Sequence, residues 1–230
     1  MGTAEMLRAA GVGAGDEVVV SAFGNAEVAE AVMRTGALPV FADIERDGYC
    51  LDAAAVDAVV SARTAAVIAV HRFGHPADMA RLHEVGRIHG LLVLEEHEPQ
   101  EEFPGELAGG LEQRRVNAAY LSARLRGVET PVAVQGHTYA QYVVRVPGNG
   151  RPDRDAFARA IRARGVECRV PVKVPVHRMP GFRRDVFLPE TERAAQETLA
   201  LPLHGSMSRR ELQRLISACN TLGGLLQAAF

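Results

Sequence analysis

The chain has 230 residues, enough to bury one large core or two smaller ones without covalent staples. Its net charge of −2 gives neither the basic excess of a nucleic-acid binder nor an acidic tail, so no nucleic-acid partner is expected. Cys50, Cys168 and Cys219 are odd in number, far apart and free of C-x-x-C spacing, which speaks against a disulfide framework or a zinc ribbon.

The chain does not open on a basic stretch followed by an apolar one, and its apolar runs fall short of the ~18 residues of a membrane span. The expected location is the cytoplasm, without a membrane partner. Of 26 basic residues only Lys173 is a lysine, so covalent amine chemistry has one candidate.

In chain order, Gly11, Gly13, Gly15 and Asp16 form a turn before the first apolar run, Val18 to Ala22. Those glycines precede their strand, so they do not make the dinucleotide loop that must follow one and open a helix. Further short β-branched runs come at Val40 to Ala42, Ala66 to Val70 and Leu91 to Leu94. Helical patterns at Ala26 to Thr35, Leu51 to Ser61 and Asp78 to His89 separate them, with Asp78 as N-cap and Gly90 as the stop. Strands apolar on both faces and alternating with helices predict a parallel sheet covered on both sides.

The acidic, Pro- and Gly-rich stretch from Glu95 to Glu112 reads as a linker. Beyond it the pattern predicts helices at Gln113 to Arg126, Asp153 to Arg164, Glu190 to Leu199 and Ser208 to Leu222. Strands are predicted at Tyr139 to Val146 and Val166 to Val170, with a Pro-rich loop after the second. The expected organisation is a domain over 1–112 and a small α+β domain over 113–230.

Several blocks then carry a family resemblance. Gly2-Thr3-Ala4 resembles an S-G-T-A phosphate-loop start, and GVGAGDEVVV from Gly11 resembles G-x-G-P-G-D-E-V-I-V. PVFADI from Pro39, VHRFGHPADM from Val70 and the stretch from His89 to Glu95 resemble P-V-F-V-D-I, V-H-L-Y-G-x-P-A-D-M and H-G-L-x-V-I-E. In the second half, HTYAQYVVRV from His137, VPVHRMPGF from Val174 and LALPLH from Leu199 follow in order. Together they resemble the DegT/DnrJ/EryC1/StrS sugar aminotransferases, fold-type I pyridoxal-phosphate enzymes acting on keto-sugar nucleotides. The resemblance implies an α/β fold with a truncated fold-type I parallel sheet and a small α+β C-terminal domain. It implies cofactor contacts at Gly2, Thr3 and Glu96.

The departures shape the expected function. Glu96 stands where the family's Asp holds the cofactor's pyridine nitrogen, and Pro99 stands where its Gln would be. The ring-stacking aromatic falls at Gly24-Asn25, the phosphate loop is expected to survive only as a stub without what precedes it in the family, and the segment carrying the Schiff-base lysine is missing after Leu94. Pyridoxal phosphate is implied by the family and not expected on these residues; Lys173 aligns with a small-domain loop, and a residual aminotransferase anchored on it is the alternative that the resemblance leaves open. Four contiguous strands should remain, with a new sheet edge at Ala66 to Val70 that the Glu98 to Glu112 segment, the small domain or a second chain would cover.

Two functional classes follow. The first is a degenerate paralogue that binds a sugar nucleotide or a partner without turnover, as a homodimer or as a heterodimer with a complete aminotransferase. The second is an enzyme with altered chemistry, in which His71, Glu96 and His97, aided by His75 and Glu98 at the same strand ends, act as acid and base or hold a metal. No metal is assigned, because the family pattern and a solvated linker already explain these residues. His137, His177 and His204 read as structural, the cysteines as core or surface thiols, and the Arg114-Arg115, Arg183-Arg184 and Arg209-Arg210 pairs as solvated faces.

Overall fold

The computed structural model describes residues 2–98, 110–147 and 153–227, with the backbone alone for 222–227. In chain order its elements are α1 (Thr3–Ala9), β1 (Glu17–Ser21), α2 (Glu27–Met33), β2 (Leu38–Ala42), α3 (Ala53–Val59), β3 (Thr64–His71), α4 (Met79–His89) and β4 (Leu92–His97). There follow α5 (Gly110–Ser122), β5 (Tyr142–Arg145), α6 (Arg154–Ala163), a 3-10 turn at Val176–Arg178, α7 (Pro189–Glu197), β6 (Thr198–Leu201) and α8 (Arg209–Gln227). They divide into two compact units. The first contains Met1–Arg72, Pro76–Glu98 and Val174–Ala195; the second contains Phe73–His75, Pro99–Lys173 and Gln196–Phe230. A single cut after Glu112 would assign Val174–Ala195 to the second unit, whereas its contacts lie with the first.

The first unit is built on an all-parallel sheet in the order β2-β1-β3-β4, so the four predicted strands are indeed contiguous neighbours. Alternation along the strands gives the sheet two apolar faces. Val18, Val20, Ile68 and Val70 pack with Leu7 of α1, Val32 of α2, and Val176, Phe182 and Leu188 from the returning segment. Val19, Val67 and Ala69 pack on the opposite face with Val56 of α3 and Leu82 and Val85 of α4. Each fully buried Val or Leu contributes about 1.5–3 kcal/mol, which is what holds such short strands in register. Asp78 caps α4 by accepting the Arg81 N–H at 3.0 Å, and Gly90 ends it in the left-handed region at φ 68°.

The sheet edge is not where the sequence placed it. β3 lies inside, between β1 and β4, and Ala66 to Val70 are at most 8% exposed. Its long uncharged apolar run suits a central position. β4, which ends in Glu95, Glu96 and His97, is the edge among the described residues, and Leu92, Val93 and Leu94 are only half-buried. The opposite edge, β2, carries Pro39, which has no N–H to offer another strand.

The second unit packs α5, α6 and α8 with the antiparallel pair β5-β6, around Tyr142, Phe157, Ile161, Leu199, Leu201 and Leu215. Two expectations change here. Thr198 and Leu199, read as the end of a helix, begin β6, because pairing with Tyr142–Arg145 buries them completely. The strand expected at Val166 to Val170 reduces to one bridge, Arg169 to Ala200. Of the expected linker, 99–109 lies outside the described residues, and Gly110–Glu112 already belongs to α5.

Candidate functional site

In an open parallel sheet the carboxyl ends of the strands are the natural ligand position. In the β3-β4 register Val70 faces Glu96 and His71 faces His97. Alternation therefore puts His71, Glu95 and His97 on the face that packs α3 and α4, and Glu96 on the face that packs α1 and α2. The His and Glu residues that sequence order gathers are divided between the two faces. The carboxylate beside His71 and His97 is that of Glu95.

His71 Nε2 lies 2.7 Å from Glu95 Oε1, and the His71 and His97 ring centroids are 4.7 Å apart. Nitrogen and carboxylate atoms of all three residues fall within 4.8 Å of one another, a spacing that a divalent metal could bridge. The hydrogen bonding opposes that use. His71 Nδ1 accepts the Ala77 backbone N–H at 2.9 Å, so the neutral ring carries its proton on Nε2 and donates it to Glu95. A metal-ligating Nε2 needs the opposite tautomer, with Nδ1–H donating outward. His71 thus presents an N–H rather than a lone pair to its neighbours.

On the other face Thr3 Oγ1 donates to the Glu96 carboxylate, joining two of the expected cofactor residues to each other. Gly2 supplies its N–H to Glu5 at 3.0 Å. Arg72, which sequence reasoning did not single out, is 5% exposed; it donates from Nη2 to the Phe23 carbonyl at 2.6 Å and from Nη1 to the Glu98 carboxylate. The Phe23 ring stacks on Tyr49 with centroids 5.6 Å apart. At the tip of β2, Asp43 accepts from the Glu190 N–H at 3.0 Å and from the Thr191 N–H and hydroxyl, both at 2.8 Å. A strand-tip carboxylate thus caps a helix almost 150 residues further along the chain.

The second unit holds the remaining histidine cluster. His75 meets the edge of His137 at 5.3 Å, and His137 stacks on Tyr139 at 3.9 Å. Burial first, then the charges of His75 and Arg115, lower the His137 pKa to about 4. Phe73 and Tyr139 both adopt positive φ, at 54° and 48°, and Gly74 between them in space has φ 84°. The Gly74 carbonyl accepts the Thr138 N–H at 2.8 Å, and the Phe73 carbonyl accepts that of Gln141 at 3.1 Å. His177 in the first unit is fully buried beside Glu192 at 3.3 Å, and His204 Nδ1 lies 2.8 Å from Ser206 Oγ. Arg114 is buried rather than solvated. All three cysteines are buried free thiols, and burial pushes Cys50 up to about 11, which removes thiolate chemistry at neutral pH.

The residues present do not fit the family's cofactor. Schiff-base chemistry needs an amine, and Lys173, the one lysine of the chain, is exposed in the loop before the Val176–Arg178 turn and is not carried by the parallel sheet. Asn25, where the resemblance sets the stacking aromatic, is exposed and not aromatic. Glu96, where the resemblance sets the pyridine-nitrogen partner, already accepts from Thr3.

Comparison with known proteins places this geometry in a lineage. The DegT/DnrJ/EryC1/StrS aminotransferase family matches residues 2–97 and 105–220, and the match breaks just after β4. A pleiotropic regulatory protein of Geobacillus stearothermophilus is 26% identical over 299 residues, covering 91% of this chain and 79% of that protein. That alignment is longer than this whole chain, so a long stretch of the relative has no counterpart here.

The UDP-N-acetyl-3-dehydro-alpha-D-glucosamine 3-aminotransferase of Acidithiobacillus ferrooxidans is 43% identical over 90 residues, covering 39% of this chain but only 24% of that enzyme. Among solved structures, S. venezuelae DesV in complex with a ketimine intermediate superposes with a TM-score of 0.83 at 22% identity, over 96% of this chain and 82% of that one. An aminotransferase from Brucella abortus superposes with a TM-score of 0.84 at 19% identity, over 97% and 84%. At these identities the superpositions establish the fold, a fold-type I transferase architecture, and the sequence match establishes the lineage: the chain belongs to the DegT/DnrJ/EryC1/StrS aminotransferase family.

Proposed function

We propose that this chain is a non-catalytic, cytoplasmic member of its family that binds a sugar nucleotide or a protein partner in sugar-nucleotide or natural-product biosynthesis. The observation that carries the reading is the place of its one lysine: Lys173 is exposed and lies in the loop before the Val176–Arg178 turn, not on a strand of the parallel sheet or in the segment after β4. Transamination needs an amine that alternately holds the cofactor and moves protons, and arginine stays protonated and cannot substitute. The kinship with an L-glutamine:2-deoxy-scyllo-inosose aminotransferase of Streptomyces kanamyceticus, 43% identical over 98 residues and covering 23% of that enzyme, supports the biosynthetic setting. The half-buried edge β4 supports association, with a second copy or with a complete aminotransferase.

The test is spectroscopic. Purified protein is mixed with pyridoxal phosphate and its visible absorbance is recorded before and after borohydride, with peptide mapping and metal analysis of the same sample. The expected result is free-cofactor absorbance and no trapped peptide. An adduct confined to Lys173 overturns the reading in favour of residual aminotransferase activity, which family membership supports. Stoichiometric metal lost on His71→Asn substitution overturns it in favour of altered chemistry, which the compact grouping of His71, Glu95 and His97 supports.

A further inference from the structure

We infer that Arg72 is a built-in occupant of the strand-tip site, its guanidinium filling the place that a side chain at position 24 and any planar ligand beside it would need. A Cβ added to Gly24 would overlap Nη2 of Arg72 and lie 2.5 Å from Cζ and 3.1 Å from Nη1. The backbone does not demand glycine there, since Gly24 is absent from the residues with positive φ. Gly24 is glycine for space alone.

An overlap with the end of an arginine is ordinarily relieved by swinging that side chain into solvent. Arg72 is 5% exposed and is held from two sides, by the Phe23 carbonyl through Nη2 and by the Glu98 carboxylate through Nη1. Moving it forfeits a charge-assisted pair with a carboxylate that is itself mostly buried, at 19% exposure. Its buried Nε has no hydrogen-bond partner among the described residues, so the guanidinium is seated by the shape of the site rather than by complete satisfaction of its donors. Gly24, Arg72 and Glu98 therefore act as one plug at the tips of β1, β3 and β4. The plug makes the misfit with a phosphorylated pyridine steric as well as chemical, and it stands independently of the binding role proposed above.

A double-mutant cycle tests it. Gly24→Ala in the wild-type background is expected to lower the thermal midpoint by about 2–12 °C, the range for overpacking a filled site in a chain of this size. In an Arg72→Leu background the same change is expected to shift the midpoint by less than about 1 °C, because the overlapping group is gone. Should Arg72→Leu not fold, Arg72→Met with Glu98→Gln supplies the relaxed background, and the same coupling is read. Equal effects of Gly24→Ala in both backgrounds overturn the plug. So does uptake of pyridoxamine 5′-phosphate by the wild-type protein in equilibrium dialysis at millimolar concentration, since that probe needs the ring position but no lysine. Borohydride trapping with peptide mapping reports on an amine adduct and not on packing at Gly24, so failure of that reading and failure of the plug are separately visible.

Discussion

Replacing Asp43 by alanine removes the cap that α7 borrows from the tip of β2. Three donors lose their acceptor: the N–H groups of Glu190 and Thr191 and the Thr191 hydroxyl. These donors are partly buried, so water replaces only some of what is lost. A lost N-cap together with hydrogen bonds to a charged group costs about 2–3 kcal/mol. For a chain of this length that lowers the thermal midpoint by about 4–12 °C. Asp43→Asn keeps one carbonyl oxygen in the place of Oδ1, serving Thr191, and fails only the Glu190 N–H, for a loss of about 1 kcal/mol. Calorimetry measures the total, and amide exchange locates it, with protection lost first at Glu190 and Thr191. If the alanine and asparagine variants melt together, or if the Thr191 amide keeps its protection in Asp43→Ala, the borrowed cap contributes nothing and the account is wrong.

Three more outcomes follow from the same geometry. His137 is held at about 4 against 6.5 for an unburied histidine, so on acidification the unfolded chain takes up a proton that the folded one refuses. The stability from this site is whole above pH 6.5 and is lost between 6.5 and 4, on the order of 3 kcal/mol in all, and His137→Asn should flatten that limb of a denaturant-unfolding profile. Gly74→Ala would set a Cβ 2.6 Å from the Ala140 nitrogen and 2.9 Å from that of Tyr139, at a φ that L-residues resist. Urea unfolding should show a loss of about 3 kcal/mol, and a loss under about 1 kcal/mol would contradict the close approach of Gly74 to Tyr139 and Ala140. Finally, long-range proton–nitrogen NMR should find His71 protonated on Nε2 near pH 8 and unchanged by zinc; a zinc-dependent shift at Nε2 would refute the tautomer assigned from the Ala77 contact.

Much of the sheet was legible because its signal is local. Runs such as Val18 to Ala22 and Ala66 to Val70 carry their own burial, and Asp78 and Gly90 mark their helix without outside help. What stayed hidden depends on distant partners. Leu199 reads as a continuing helix until β5 is there to pair with it, and strand order cannot be read from strands that are all equally apolar. The candidate site divides the same way. Thr3 and Glu96 could be named from a family pattern and His71 and His97 from their place at strand ends, but which face His71, Glu96 and His97 join follows from the β3-β4 register, which no residue announces. Arg72 was invisible for a related reason: an arginine after a strand means little until Gly24 and Glu98, 48 residues below it and 26 above, are seen to be shaped around it. An acidic residue after a glycine-free strand, by contrast, gives no hint that it will cap a helix as remote as α7.

The returning segment from Val174 to Ala195 has a consequence for how the gene can be handled. The polypeptide passes from one compact unit to the other after Arg72, His75, Glu98, Lys173 and Ala195. A fragment stopping at Glu98 would expose the sheet surface that Val176, Phe182 and Leu188 otherwise shield, and it should aggregate. Supplied in trans, a fragment starting at Gly110 brings those three residues back, so the two halves should rescue each other's solubility on co-expression, as a naturally split protein does.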